Sequence, residues 1–499
     1  MRGEPGGAET LVDIPGSFST TTTVTVGSST INTLETVGDN DWFRINLTQG
    51  QAITVSLNGR TLDDPYLRIR DSSGNIIFEN DDVNTGVNLD SLLSFAASYT
   101  GVYYIDVGAW NDAGAGDYQL NVTAFQTPPV FTNEQIADQL SSGYWGDGQH
   151  PFNVSSGGSL TVNITGLNGA GQALARQALQ TWSEITGINF IESTSAAPHI
   201  MFTDDDSDGG AFTEGLAYNG NFVTQALVNI DTSWLTNSGS NIGSYGYQTY
   251  LHEIGHALGL GHAGNYNETA TYPYDALFRN DSWATSVMSY FSQTESDYFN
   301  SQGFSRLYLV TPMVADILAM QQLYGLSTTT RSGNTTYGFS SSAGINPVYN
   351  AQQYSLSAIA YTIFDAGGTD TLDYSGYSVA QRIDLNPEQF SSIGGRTGNV
   401  TIARGTIIEN AIGGSGSDVI IGNSLANTLT GRGGNDTLSG GLGYDTFKDS
   451  VSGLNGDIIT DFSGGDRIVI TDAIAAGFSF NVTGNILNFT GGQLNLSTP

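Results

Sequence analysis

Apolar and polar residues alternate with a period of two through much of the first 125 residues of the chain. Ile53, Val55 and Leu57 form one such run, and turn pairs such as Gln49-Gly50 and Asn58-Gly59 separate the runs. This alternation is typical of strands that bury one face, and the frequent turns favour antiparallel pairing. The pattern predicts an antiparallel, jelly-roll-like β-sandwich over residues 1–126.

The spacing of apolar residues changes after the stiff segment Thr127-Pro128-Pro129, where we place a domain boundary. Between Gly171 and Gly187 apolar residues recur at the spacing of one helix face. Short apolar runs at 188–191, 199–202 and 226–230 predict strands. The residues of the predicted helix stripe are Leu174, Ala178, Trp182 and Ile185.

A second helix is predicted near residue 311, with Thr311 as N-cap and Gly325 as its end. Pro312 suits the first turn. The expected inner face consists of Met313, Ile317 and Met320. Helices and strands in this mixture predict a central α+β domain over residues 127–330.

Charge and composition narrow the classes of function. The chain has 15 Lys and Arg against 48 Asp and Glu, a formal net charge of -33, which disfavours nucleic acid and anionic membranes as partners. It has no cysteine, so disulfides and thiolate ligands are excluded. No run of 18 apolar residues and no Sec-type leader is visible, so no membrane span is expected.

Residues 252–262 read HEIGHALGLGH. On a helix, positions four apart share a face, so His252 and His256 can bind one zinc ion. Gly259 permits a left-handed turn that brings in His262 as third ligand. Three imidazoles leave one coordination position for water, and Glu253 stands beside the ligands as the predicted general base.

The alternative is a structural zinc, but closed structural sites usually have four protein ligands, commonly including cysteine. The remaining histidines, His150 and His199, are interpreted as surface or core residues rather than as ligands. We therefore expect one catalytic zinc.

Ser286-Val287-Met288-Ser289-Tyr290 follows the third histidine and resembles the Met-turn of metzincins in its serralysin form. SGYWGDG at 142–148 and DILAMQQLYG at 316–325 also resemble serralysins, the peptidase family M10B. The resemblance implies a zinc endopeptidase acting on proteins or peptides. It also implies that Tyr290 is a labile zinc ligand that hydrogen-bonds the tetrahedral intermediate, with Met288 beneath the metal. We expect an extended substrate to pair with a sheet edge near residues 226–230.

Four blocks of nine residues begin at Gly413, and each places glycine, an acid or amide, and an apolar residue in the same register. A flexible glycine-rich linker needs no apolar column. The pattern resembles calcium-binding RTX repeats, which predicts a parallel β-roll within residues 331–499. The three columns are Gly413, Gly422, Gly431 and Gly440; Asp418, Asn427, Asp436 and Asp445; and Ile420, Leu429, Leu438 and Phe447.

Several structural calcium ions are predicted between these glycine-rich turns. Asn427 replaces a carboxylate, so its block should bind calcium weakly or not at all. The predicted ligands in the repeats are Gly413, Gly414, Gly416, Asp418, Gly431, Gly433, Asp436, Gly440, Gly441, Gly443 and Asp445. The serralysin resemblance adds Arg331, Gly333, Thr335, Asp365, Gly367, Gly368, Asp370 and Glu409.

The N-terminal region resembles bacterial pre-peptidase C-terminal domains in segments such as DNDWFRINL and TGVYYIDVGAW. Two roles are open: it tethers the enzyme to a surface or polymer, or it covers the active-site cleft until it is removed. Asp81 and Asp82 either help to hold calcium or are ordinary solvated turn residues.

The repeats imply a chain that folds in extracellular calcium and leaves the cell through a type I secretion apparatus. We expect a secreted monomer, either free or associated with the cell surface. Two alternatives stay open. One is a different metzincin, such as an astacin or a matrixin, against which the repeats and the absence of cysteine argue. The other is a calcium-binding RTX surface or adhesin protein with a relict protease module.

Overall fold

The computed structural model of the chain describes residues 13–83, 88–204, 210–344 and 346–497. It divides the chain into two compact units. The first unit runs to Val130 and also contains the segment Gly264–Arg279, and the second contains Phe131–Ala263 and the chain from Asn280 onward. The borders predicted after residues 126 and 330 remain predictions.

The first unit is an antiparallel β-sandwich of two four-stranded sheets, ordered β1-β8-β3-β6 and β2-β7-β4-β5. Every connection along the chain except β4 to β5 passes from one sheet to the other, as in a jelly roll. Its strands are β1 (Ser28–Leu34), β2 (Asp41–Leu47), β3 (Ala52–Gly59), β4 (Pro65–Arg70), β5 (Ile76–Asn80), β6 (Ser91–Ala96), β7 (Gly101–Ala109) and β8 (Gly116–Ala124).

The predicted sandwich is confirmed, although positions 1–12 and 84–87 of the predicted region lie outside the described residues. Ile53, Val55 and Leu57 on β3 are completely buried, while the residues between them are half-buried. Burial of each such side chain contributes about 1.5–3 kcal/mol, so the alternation fixes which face of β3 turns inward.

The first part of the second unit, up to residue 330, contains a five-stranded sheet in the order β10-β9-β11-β13-β12. The first four strands are parallel, and β12 is an antiparallel edge strand beside β13. The strands of this region are β9 (Ser159–Gly166), β10 (Asn189–Glu192), β11 (Ile200–Thr203), β12 (Ala211–Asn219), β13 (Phe222–Ile230) and β14 (Tyr308–Leu309). Its helices are α1 (Asn133–Asp138), α2 (Gly169–Thr186), α3 (Thr232–Ser238), α4 (Tyr245–Ala257), α5 (Asp297–Asn300) and α6 (Val314–Tyr324).

The predicted helix near 171–187 is confirmed as α2, which ends at Gly187 in a left-handed conformation. The start predicted for the second helix is wrong. Helix α6 begins at Val314 after Met313, whose backbone N–H donates to the carboxylate of Asp316 at 2.7 Å. Thr311 instead accepts a hydrogen bond from the backbone of Thr362.

The C-terminal part is a parallel β-roll, as predicted. The apolar column is confirmed: Ile420 pairs with Leu438 and Leu429 with Phe447, and all four are completely buried. The two long sheets have the orders β15-β17-β21-β23-β25-β27 and β18-β22-β24-β26-β30-β29-β28, and a third sheet has the order β14-β16-β20-β19.

The strands of the C-terminal part are β15 (Thr336–Gly338), β16 (Ile359–Ile363), β17 (Thr371–Asp373), β18 (Arg382–Asp384), β19 (Phe390–Ser391), β20 (Val400–Ile402), β21 (Asn410–Ile412), β22 (Val419–Ile421), β23 (Thr428–Thr430), β24 (Thr437–Ser439), β25 (Thr446–Asp449), β26 (Ile458–Ile459), β27 (Arg467–Ile470), β28 (Phe480–Thr483), β29 (Ile486–Phe489) and β30 (Gly492–Leu496). A short helix, α7 (Val451–Leu454), lies between β25 and β26. None of the described helices has the length and apolar character needed to cross a membrane.

Candidate metal centre and catalytic site

The imidazoles of His252, His256 and His262 converge. The Nε2 atom of His256 lies 3.0 Å from Nε2 of His252 and 3.0 Å from Nε2 of His262. Zinc binds imidazole nitrogen at about 2.0–2.1 Å with tetrahedral geometry, which places two such nitrogens about 3.3 Å apart. The arrangement therefore fits one zinc ion.

Backbone carbonyls orient the two helical histidines. Nδ1 of His252 lies 2.9 Å from the carbonyl oxygen of Val287, and Nδ1 of His256 lies 2.7 Å from that of Leu260. These contacts favour the tautomer that leaves Nε2 unprotonated. Burial lowers the pKa of His252 to about 4 and that of His256 to about 3, so both rings are neutral near pH 7 and can offer a lone pair.

Glu253 directly follows His252 in α4 and is buried. The hydroxyl Oγ1 of Thr213, on the edge strand β12, lies 2.9 Å from its Oε2 atom and 2.8 Å from its backbone oxygen. Burial raises the pKa of Glu253 to about 8, while the hydrogen bond from Thr213 acts in the opposite direction. A cation held by the neighbouring histidines would favour the ionised carboxylate.

The turn after α4 depends on glycine. Gly259 has a φ of 96°, as the sequence predicted, and a Cβ atom there would lie 2.7 Å from the carbonyl oxygen of His150. A side chain at Gly261 would collide with the ring of Tyr144, which packs edge-on against His262 with ring centroids 5.2 Å apart. The chain can therefore fold back toward α4 only with small residues at these two positions.

Met288 is completely buried, and its backbone oxygen accepts a hydrogen bond from the N–H of Ala263. A Cβ atom on Gly255 of α4 would lie 2.7 Å from the Met288 sulfur. The predicted Met-turn thus packs directly on the helix that carries two of the histidines.

Asp316 of α6 holds the Met-turn, a role that the sequence analysis missed. Its carboxylate accepts hydrogen bonds from the Ser286 hydroxyl at 2.6 Å and from the backbone of Val287 at 2.8 Å. Burial raises the pKa of Asp316 to about 6. The sequence did offer one signal for this role: Asp316 stands in the first turn of a helix that follows the predicted Met-turn.

Tyr290 lies next to the histidine cluster. Its ring centroid is 4.6 Å from that of His262 and 6.0 Å from that of His252. The other two histidines lie elsewhere: His150 pairs with Asp147 at 2.6 Å, and Nδ1 of His199 accepts a hydrogen bond from the backbone of Thr161.

The expected substrate edge at residues 226–230 is wrong. That segment belongs to β13, which pairs with β11 on one side and with β12 on the other. Its backbone groups are therefore already hydrogen-bonded, and the outer strand is β12. The period-two pattern identified a strand but carried no information about which strand lies at the edge.

Several of the calcium ligands predicted from the serralysin resemblance lie close to one another. The backbone N–H of Thr335 donates to Asp370 at 2.7 Å, and the N–H of Asp370 donates to Glu409 at 2.7 Å. Gly367 and Gly368 have φ values of 140° and 144°, which let the turn approach the carbonyl of Gly333. Burial raises the pKa of Asp370 to about 6, and its Oδ2 atom has no hydrogen-bond partner.

Arg331 and Asp365 flank this turn. The guanidinium of Arg331 pairs with Glu184 at 2.8 Å and donates to the carbonyl of Phe364. Because a guanidinium has no acceptor, the predicted ligand atom of Arg331 is its backbone oxygen. One Asp365 oxygen accepts from Gly367, and the other accepts from the Tyr337 hydroxyl.

The repeat turns stack in register through their acids. Asp418 accepts a hydrogen bond from the backbone of Gly414 and donates its own N–H to Asp436 at 2.7 Å. The glycines at the start of the blocks are required, because a Cβ atom at Gly413, Gly431 or Gly440 would lie within 2.4 Å of the acid of the same block. Gly416, Gly433, Gly441 and Gly443 lie along the same stacked turns.

Asn427 occupies the place of an acid in this stack. Its side-chain amide donates to the carbonyl oxygen of Glu409 at 3.1 Å and to Asn423, and its N–H donates to Asp445 at 2.8 Å. The amide N–H groups therefore already pair with two oxygen acceptors of this turn.

Acids beyond the repeats extend the stack, and sequence reasoning missed them. Asp457 accepts from the N–H of Asp436 at 2.8 Å, and Asp466 accepts from that of Asp445 at 3.0 Å. Both pairs are 21 residues apart, whereas Asp418 and Asp436 are 18 apart. A repeat of nine residues does not reach these acids, because the spacing between stacked acids changes from 18 to 21 residues.

In the first unit, Asp81 and Asp82 form an acidic group with Asp64. Burial, followed by repulsion from Asp64, raises the pKa of Asp81 to about 6. The two interpretations given for this turn, a calcium ligand set or ordinary surface acids, remain predictions.

Comparison with known families agrees with this architecture. Residues 326–496 match the family described as Peptidase M10 serralysin C terminal, residues 167–282 match Matrixin, and residues 39–109 match Bacterial pre-peptidase C-terminal domain. The three matches follow one another in the order predicted from the sequence.

Two curated relatives extend the comparison. The chain is 38% identical over 323 residues to Metallopeptidase AprA of Pseudomonas marginalis, covering 59% of this chain and 66% of that one. It is 36% identical over 364 residues to Serralysin C of Dickeya chrysanthemi, covering 70% of this chain and 73% of that one. The matches to Metalloprotease AprA of Pseudomonas entomophila and to Serralysin of Photorhabdus laumondii span only 52% and 54% of the length of those proteins.

Among solved structures, myroilysin aligns with 34% of this chain at 21% identity, and the TM-score is 0.23. That score is too low to add information about the fold. Fold and site together define a metzincin-like chain with a β-roll. The family matches and the coverage of Serralysin C go further: the chain belongs to the serralysin family of M10 metallopeptidases.

Proposed function

We propose that the chain is a secreted, zinc-dependent endopeptidase. The observation that carries this proposal is the convergence of three histidine Nε2 atoms, of which His256 lies 3.0 Å from each of the other two. The buried Glu253 directly follows the first of these histidines in α4. His252, His256 and His262 would hold the ion. We assign this site to a catalytic region at 127–330, between a sandwich at 1–126 and a calcium-binding region at 331–499.

A zinc ion bound there would supply a Lewis acid that polarises the scissile carbonyl and acidifies a water molecule. Glu253 accepts the proton of that water and later donates it to the leaving amine. Its burial keeps bulk water away from the carboxylate, which strengthens its electrostatic interactions.

Tyr290 is proposed to stabilise the tetrahedral intermediate through its phenol group and to be a labile zinc ligand. Its position against the rings of His262 and His252 supports this role. Met288 supports the site from below through its packing on Gly255.

The substrate is proposed to bind as an extended strand along β12. That strand is the edge of the five-stranded sheet, and its contact with Glu253 through Thr213 places it beside the catalytic residues. Backbone pairing of this kind gives affinity with little demand on side chains, which suits an enzyme that acts on protein or peptide substrates.

Several structural calcium ions are proposed to bind in the β-roll. Supporting observations are the stacked acids and the unpartnered, buried Oδ2 atoms of Asp370, Asp436 and Asp457. Extracellular modules of this type bind calcium at about 10⁻⁴–10⁻³ M, so the region would fold after export by a type I secretion apparatus. The N-terminal domain is proposed either to tether the chain to a surface or polymer or to cover the cleft.

The test is the substitution Glu253→Gln in the full chain, with Glu192→Gln as an exposed control. The Glu253→Gln variant should retain one zinc ion per chain and lose about 10²–10⁴-fold in casein hydrolysis, because general acid–base catalysis contributes that much. The control should keep its activity. Substantial activity in the Glu253→Gln variant would remove the residue from this role, and a zinc-loaded wild type without activity would favour the relict-protease alternative.

A further inference from the structure

Thr213 connects the edge strand to the proposed general base. It lies on β12 opposite Val228 of β13, and its hydroxyl reaches Glu253 at two atoms, the backbone oxygen at 2.8 Å and Oε2 at 2.9 Å. Within the described ranges it is the one side chain that hydrogen-bonds to the Glu253 carboxylate.

We propose that Thr213 is a positioning residue that holds the Glu253 carboxylate in the orientation needed for proton transfer. This inference rests on the proposed function of Glu253. A glutamate side chain has several rotatable bonds, and fixing it in one geometry has an entropic cost that the hydrogen bond from Thr213, shared between Oε2 and the backbone oxygen of Glu253, offsets. With Oε2 held by Thr213, Oε1 is the atom left to take the proton.

The geometry also explains why a hydroxyl suits this position. A threonine hydroxyl has one proton, and here two acceptors that both belong to Glu253 share it. The hydroxyl therefore donates to α4 and not to water. The β-branched side chain is stiff at χ1 and is favoured in strands, so the hydroxyl direction is set by β12 itself.

Strand β12 has two proposed roles: its backbone pairs with the substrate, and its Thr213 side chain holds the general base Glu253. Removal of the hydroxyl leaves the backbone of β12 intact, so KM should change little while kcat falls. A role limited to attaching the strand to the helix would instead lower stability and zinc content.

The experiment compares Thr213→Val, which keeps the shape, with Thr213→Ser, which keeps the hydroxyl. Thr224→Val, an exposed position on β13, is the matched control. We expect Thr213→Val to retain one zinc per chain, with KM within about threefold and kcat about 10–100-fold lower, because small misplacements of a catalytic group have effects of this size. Thr213→Ser and Thr224→Val should keep kcat within about threefold of the wild type.

In the Glu253→Gln background, Thr213→Val should cause no further loss of activity, because residues that act through one another are not additive. The proposal is overturned if Thr213→Val keeps the wild-type kcat, if Thr213→Ser is equally slow, or if the variant loses its zinc. It is also overturned if the loss is the same with and without Glu253.

A crystal structure of each variant gives a readout that does not depend on activity. Glu253 should occupy one rotamer in the wild type and in Thr213→Ser, and several in Thr213→Val. A single unchanged rotamer in Thr213→Val would overturn the positioning role. If the wild type binds zinc but hydrolyses no peptide, the proposed function fails, while the rotamer comparison still decides the role of Thr213.

Discussion

At the scale of single residues, Asp316 shows how a side chain far from the reacting atoms can control the site. It accepts hydrogen bonds from Ser286, Val287 and Met313, and it is completely buried. Replacement by alanine would leave three buried donors without an acceptor, each of which costs about 1–3 kcal/mol. We expect Asp316→Ala to lower the free energy of unfolding by at least about 3 kcal/mol, measured by urea denaturation monitored by tryptophan fluorescence.

The matched control for that measurement is Asp63→Ala, at an exposed position in the first unit. Exposed substitutions of this kind usually change stability by less than about 0.5 kcal/mol. Equal stability of the wild type and Asp316→Ala would contradict the role given to Asp316.

Asp41 makes the stability of the N-terminal sandwich depend on pH. It is completely buried, and burial raises its pKa to about 7, against the opposing hydrogen bonds from Tyr118 and Asn32. An ordinary aspartate has a pKa near 4. Between about pH 4 and pH 7 the folded domain therefore holds a proton that the unfolded chain has released, so this group weakens the fold as the pH rises.

The Asp41→Asn variant tests this effect, because it removes the titrating group with little change in shape. The midpoint of thermal unfolding of the sandwich, compared between the two proteins from pH 4.5 to pH 7.5, should fall with rising pH more steeply in the wild type. Parallel profiles for the two proteins would show that Asp41 does not titrate in this way.

Among the helices and strands, the sequence predicted the elements that have a periodic spacing of apolar residues. It missed the features that depend on contacts between residues distant in the chain. Alternation predicted the sandwich, and helical spacing predicted α2, because each pattern reflects burial of one face. The start of α6 was placed at Thr311 because threonine is a good N-cap, but Thr311 is hydrogen-bonded to Thr362 of the β-roll instead. A distant partner of this kind leaves no local signal.

The β-roll gives a second example. The column of Ile420, Leu429, Leu438 and Phe447 was visible because it repeats every nine residues. The acids Asp457 and Asp466 continue the same stack but lie 21 residues after their partners, where α7 lengthens the connection. Periodicity finds a repeat only while the offset is constant.

Asn427 leads to a prediction about calcium. In Asn427→Asp, a carboxylate would face the carbonyl oxygen of Glu409 that now accepts from the amide. Without calcium this repulsion should destabilise the roll, and with calcium the added ligand should stabilise it. We expect circular dichroism to show a lower unfolding temperature than the wild type in chelator and a higher one at millimolar calcium.

The control is Asn435→Asp, at an exposed position outside the acid column. It should change the unfolding temperature by the same small amount with and without calcium. If Asn427→Asp changes the unfolding temperature in the same direction in chelator and in calcium, residue 427 does not face a cation.

At the scale of the whole molecule, the segment Gly264–Arg279 belongs to the same compact unit as the N-terminal sandwich, although it lies between His262 and the Met-turn in sequence. Tyr274 packs against Phe125 with ring centroids 5.1 Å apart, and the N–H of Arg279 donates to Pro129. A chain that begins near Thr132 would lack these partners.

We therefore expect the chain shortened to begin near Thr132 to be cut by an added unrelated protease within residues 264–279, where the full-length chain resists. Mass spectrometry of the fragments locates the cuts. Equal resistance of this segment in both chains would show that the sandwich does not stabilise it. Casein hydrolysis by the shortened chain separately tests the covering role, because unchanged activity would eliminate that role.

The central claim is that three imidazoles bind one zinc ion, and elemental mass spectrometry of the purified full-length chain tests it most directly. After dialysis against metal-free buffer, we expect one zinc per chain for the wild type and for the control His150→Gln, and well under one for His256→Ala, because one of the three histidine ligands is lost. Absence of stoichiometric zinc from the wild type, or full zinc content in His256→Ala, would contradict it.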